Sequence, residues 1–200
     1  MAQPTRFLRA CDHGGVLKLR RTPVPSELTA AVKRAAEADG AGKDSILSAI
    51  QLTDGRWLAG GRSAVYLPLG APDAADAFGV RRVGWEQIER AEWDSEQSVL
   101  HVWETTAFGT PLVGTHLPVE DLGKFGQLLR ERVSASIVIQ RHYPITGKKG
   151  LRVVGRRNPA DTSAEVAWNF VLDKGIEPTR PGLLEAAEDA LKGLRDELGL

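Results

Sequence analysis

From Ser45 onward the apolar positions fall into short runs with the period-two alternation of half-buried strands rather than the longer helical period. Residues 46–52 form the first such run, and Thr53-Asp54-Gly55 turns the chain into Trp57 to Ala59 and then Ser63 to Leu69. Pro68, Gly70 and Pro72 close this unit, and 71–78 reads as loop. Val80 to Gly84, Ile88 to Trp93 and Val99 to Glu104, the last two joined by a polar turn at Asp94 to Ser98, read as consecutive antiparallel strands. A strand at 112–117 follows, and Pro118 then introduces a helix with Leu122, Phe125, Leu128, Leu129 and Val133 at helical spacing. The final third predicts strands at 136–143, 151–157 and 165–172. A helix from about Gly182 to Leu198 follows, its stripe formed by Leu184, Ala187, Leu191, Leu194 and Leu198. Ahead of the strands, Ser26 is expected to cap a short helix that lids the sheet through Leu28, Val32, Ala35 and Ala36, while 1–25 reads as an arm with one edge strand around Val16 to Leu19.

The pattern therefore predicts a mainly β, α+β chain in three parts. An N-terminal arm and short helix occupy 1–43, a β unit with a closing helix occupies 44–133, and a three-stranded β extension with a C-terminal helix occupies 134–200, possible as a continuation of the second part because it is too short to bury both faces alone. With 42% hydrophobic residues in 200, the chain can bury a core without staples. Lys plus Arg and Asp plus Glu are balanced at 26 each, so no long-range field draws the molecule to nucleic acid or an anionic membrane, and any anion site must be local. Cys11, the single cysteine, excludes an internal disulfide framework and a Cys-rich zinc module and fits a reducing compartment, so a cytoplasmic location is expected. Charges at Arg6, Arg9, Asp12, Lys18 and Arg20 interrupt the N-terminus, and no run is long and apolar enough for a span, so neither a signal peptide nor membrane insertion is expected.

One local pattern carries a resemblance. After Ala64-Val65-Tyr66-Leu67 come Arg81-Arg82-Val83-Gly84-Trp85-Glu86-Gln87-Ile88, then Ala91-Glu92-Trp93-Asp94 and the strand from Val99 to Trp103. This order of strands and closing helix resembles bacterial pleckstrin-homology-like and GRAM-like domains over about 44–133, and the whole chain is similar to an actinobacterial family. The resemblance implies a rolled antiparallel barrel whose end is plugged by Trp85 and Ile88, with Ala91 and Trp93 continuing the core face. Phosphoinositide-binding members place Lys and Arg in the loop joining their first two strands. Here that loop is Thr53-Asp54-Gly55 followed by a single Arg56, which does not support phosphoinositide binding.

Motifs for chemistry are sparse. Gly40-Ala41-Gly42-Lys43-Asp44-Ser45 lacks the spacing of a phosphate-binding loop, and Asp12-His13-Gly14-Gly15 has no nucleophile elbow to serve. Of the four histidines, His101 and His116 are placed to meet across neighbouring strands, but a metal would need a carboxylate to join them, and a paired surface histidine is the plainer account; no metal or cofactor is assigned. Glu86, Glu89, Glu92, Asp94 and Glu96 read as a solvated carboxylate-rich hairpin.

The informative cluster is basic. Arg141, His142, Lys148, Lys149, Arg152, Arg156 and Arg157 lie in one hairpin and its flanks, and Arg141, Lys148, Lys149, Arg152 and Arg156 are the candidate anion-binding residues, with Gly147 and Gly150 allowing close approach. The competing account is an edge strand protected by charge. The sequence thus favours a non-catalytic binding or scaffold module for a protein partner, with self-association expected from five tryptophans. The alternative is a sensor or enzyme acting on an anionic small molecule. Nucleic acid is disfavoured, since exposed interleaved aromatics are missing.

Overall fold

The computed structural model describes residues 23–70 and 77–199, apart from the side chain of Leu198. The arm and edge strand expected before Pro23, with Cys11 and His13, lie outside the described residues, as does most of the loop expected at 71–78. Three antiparallel sheets and three helices make up the described chain, so the α+β, mainly β class holds, and none of the sheets closes on itself.

Helix α1 (Ser26–Ala38) precedes a four-stranded meander of β1 (Ile46–Gln51), β2 (Trp57–Gly61), β3 (Ala64–Pro68) and β4 (Val80–Gly84). Ser26 is the first helical residue and not the cap; Pro25 takes the extended cap position, and the Ser26 hydroxyl turns to Glu27. Every residue of β2 and β3 is buried, because both faces of this sheet are covered. Leu28, Ala31, Val32 and Ala36 of α1 pack on Trp57, Ala59, Ala64 and Tyr66 on one side. Leu58, Val65, Leu67 and Val83 face the main core on the other.

A single 3-10 turn at Trp85–Gln87 leads into a second sheet, β5 (Ile88–Asp94), β6 (Val99–Glu104) and β7 (Val113–Pro118). Its inner face, Ile88, Leu100, Val102 and Leu117, joins the main core together with Leu122, Phe125, Leu129 and Val133 around helix α2 (Gly123–Ser136). Trp85 and Ile88 are fully buried there, and the indole Nε1 of Trp85 donates to the Gly61 carbonyl at 3.2 Å. Ala91 and Trp93 pack on the same core.

Helix α2 runs without a linker into β8 (Ile137–Thr146), which pairs with β9 (Lys149–Arg156), and β9 pairs with β10 (Ala167–Leu172). Helix α3 (Leu183–Leu198) covers one face, where Leu151 and Val153 meet Leu183, Ala187, Ala190 and Leu194. The buried stripe is rotated from the expected one: Leu183 is buried and Leu184 is half exposed. Either leucine satisfies a 3.6-residue period, and only the sheet beneath selects between them.

Candidate functional site

The basic hairpin does not converge. His142 pairs with Arg152 and Arg141 with Val153 in the β8–β9 ladder, and cross-strand partners share a face. Arg141 therefore lies on the α3 side, where Glu197 grips it through two contacts of 2.5 and 3.0 Å. Arg152 and Arg156 lie on the opposite side. Lys148 and Lys149 are exposed around the Gly147 turn. Gly150 serves packing rather than ligand approach, since a Cβ there would sit 1.8 Å from the Tyr143 carbonyl oxygen.

Arg156 is 4% exposed and ties three elements together. Its guanidinium donates to Ser136 Oγ at 2.9 Å, to the Val133 carbonyl at the end of α2, and to the Glu89 carbonyl at 2.9 Å. The Arg152 side chain makes no hydrogen bond or ion pair among the described residues, and its Nε is buried without a partner. Asp173 accepts from the Gly150 N–H and contacts His142 Nε2, both at 2.8 Å.

The carbonyl that Arg156 holds belongs to a β-bulge. Ile88 pairs with Glu104 and Arg90 with Trp103, so Glu89 is an extra residue with no partner on β6. A bulge breaks the alternation of side chains and re-aims the residue it carries. Here it turns Glu89 out of the carboxylate hairpin and into a groove between the body and the C-terminal sheet. Burial pushes the Glu89 carboxyl above the ordinary glutamate range, against the opposing pull of Arg90, Arg156 and Arg152. The other hairpin carboxylates go elsewhere: Glu92 stays on the open face, and Asp94 accepts the Glu96 and Gln97 amides in the turn.

The groove has a volume of about 300 Å³ and runs between the 105–112 loop, joining β6 to β7, and strand β10. Four consecutive residues, Asn169 to Leu172, line it. Consecutive strand residues point to opposite faces, so a cavity that touches all four runs along the outer edge of β10. Among the described residues that edge has no neighbouring strand, because β9 is the one strand paired with β10 there. Phe108 anchors the loop by meeting Phe170 edge-on at 5.4 Å. Thr105, Thr106 and Thr110 supply hydroxyls, and Glu89 is the one titratable side chain among the lining residues.

Elsewhere, His101 and His116 do meet across β6 and β7, with their Nδ1 atoms 2.6 Å apart. Arg56 in the first hairpin loop is committed, since it pairs with Asp54 at 2.6 Å and donates to the Gly70 carbonyl at 2.8 Å. No helix among the described residues is long and apolar enough to cross a membrane. No family model, curated protein or solved structure matches the chain.

Proposed function

We propose that this chain is a non-catalytic binding module that takes an extended segment of a partner protein into the groove alongside β10. The observation that carries this reading is the β10 edge along Asn169 to Leu172, which has no neighbouring strand among the described residues and lies beside an apolar wall. An added strand would satisfy that edge by main-chain hydrogen bonds, while Phe108 and Leu172 offer contact to its side chains. The groove holds one carboxyl and no second titratable side chain among its lining residues, which favours binding over acid–base catalysis.

A pleckstrin-homology-like kinship belongs to the same proposal. Short antiparallel strands followed by a helix packed over the shared core is the order that resemblance implies, and the buried Trp85 and Ile88 are consistent with it. An anion sensor built on the basic hairpin is less favoured, because Arg141 and the Arg152/Arg156 pair lie on opposite faces of the sheet.

Selection of displayed peptides on the full chain tests the reading. Binders are expected to slow amide exchange at 169–172 and in the 105–112 loop, and Asn169→Arg is expected to abolish binding without lowering the melting temperature. Selection of no binder, or binders that protect another edge, would remove the groove from consideration.

A further inference from the structure

The outer face of the second sheet carries three potential ligands in one row. His101 stands opposite Glu92 on β5 and opposite His116 on β7, so the three side chains leave the same face of the sheet. The core residues Leu100, Val102 and Leu117 occupy the other face. Because β6 is the central strand, His101 is held by ladders on both sides.

A separation of 2.6 Å between two imidazole Nδ1 atoms requires a proton on one ring and a lone pair on the other, both aimed at one point between the strands. A metal would replace that proton. Imidazole–metal bonds of ~2.0–2.1 Å in a tetrahedral or square arrangement place two ligating nitrogens roughly 3–3.5 Å apart, so the rings need to part by under about 1 Å and rotate until both lone pairs converge on the ion. We propose that His101 and His116 form a two-imidazole clip for a divalent transition-metal ion of the copper, nickel or zinc type, completed by water.

Glu92 adds negative charge one strand away, while its contact with Arg90 at 3.4 Å works in the opposite direction. Among the described residues no group of three or more His, Cys, Asp or Glu is gathered as a ligand set, so the clip has open positions and is weaker than a closed four-ligand site. Copper is then expected to bind most tightly, following the usual order for nitrogen ligands. The site has its own reporter, since the Trp103 ring stacks on His101 at 5.6 Å.

The test is titration of chelator-treated full chain with CuCl2, NiCl2 and ZnCl2 in turn. One ion is expected to bind per chain, to raise the melting temperature and, for copper, to quench tryptophan emission, with Trp103→Phe removing most of the quench while stoichiometry is unchanged. His101→Gln and His116→Gln should each weaken binding at least about tenfold with the metal-free melting temperature preserved, whereas His142→Gln should not. Binding that survives both substitutions, or none up to about 1 mM metal, overturns the proposal.

Discussion

The Tyr66 hydroxyl donates to the Asp44 carboxylate at 3.0 Å, and the same carboxylate accepts the Arg62 and Ser63 amides and the Ser63 hydroxyl. Asp44 is therefore the clasp of the β2–β3 hairpin. Burial would raise this carboxyl, but the bonds from Ser63, Arg62 and Tyr66 outweigh it and hold the group below the ordinary aspartate range.

Asp44→Ala is expected to cost about 2–3 kcal/mol and Tyr66→Phe about 1 kcal/mol in urea unfolding at neutral pH. A depressed folded-state value means the stabilisation is complete above the unfolded aspartate range and disappears as pH falls through the folded value. The gap between wild type and Asp44→Ala should therefore narrow on acidification; a gap that stays constant into strong acid would assign the loss to packing instead.

Glu89 has the opposite sign. Its raised folded-state value makes its contribution complete below the unfolded glutamate range and lost as pH rises through the folded value. Glu89→Gln should accordingly gain on wild type in thermal melts as pH rises from the unfolded glutamate range through the folded value. Equal pH slopes for the two proteins would contradict the burial of this carboxyl in the groove wall.

Arg156→Ala should destabilise by about 2–4 kcal/mol, since it leaves the Glu89 carbonyl and Ser136 without their donor. Arg156→Met restores volume but not the bonds, and an intermediate loss is expected. In both variants amide exchange should accelerate first around Glu89 and Arg90, where the bulge loses its tether.

Gly150→Ala is expected to cost about 3 kcal/mol or more, because the new methyl meets backbone at Tyr143 and Pro144 that cannot rotate away. Gly147→Ala has open space and should lose roughly 1 kcal/mol through its left-handed φ of +60° alone. Chemical denaturation of the pair separates steric from conformational cost.

Much of the strand order was legible from short apolar runs separated by turn residues, and the inward placement of Trp85 and Ile88 was implied by the resemblance and matches their full burial. The groove was not. A bulge changes no residue type, so Glu89 looks like its neighbours until the pairing of Ile88 and Arg90 shows that one residue has been skipped. The basic cluster failed to converge for a reason of parity: Arg152 and Arg156 share a face by spacing, but Arg141 joins the other face through a register that only the hairpin sets. Asp44 binds residues 18 to 22 positions away, a separation no local motif encodes.

Because β2 and β3 are covered on both sides, α1 is a structural wall rather than an appendage, fastened at its end by Arg82 to Asp39 at 2.6 Å. A shortened chain starting at Asp44 would leave Trp57 and Tyr66 wet on a flat sheet, an invitation to stick to other copies. Expression trials that trim the N-terminus should stop before Pro25, and any recombinant fragment cut deeper is expected to precipitate.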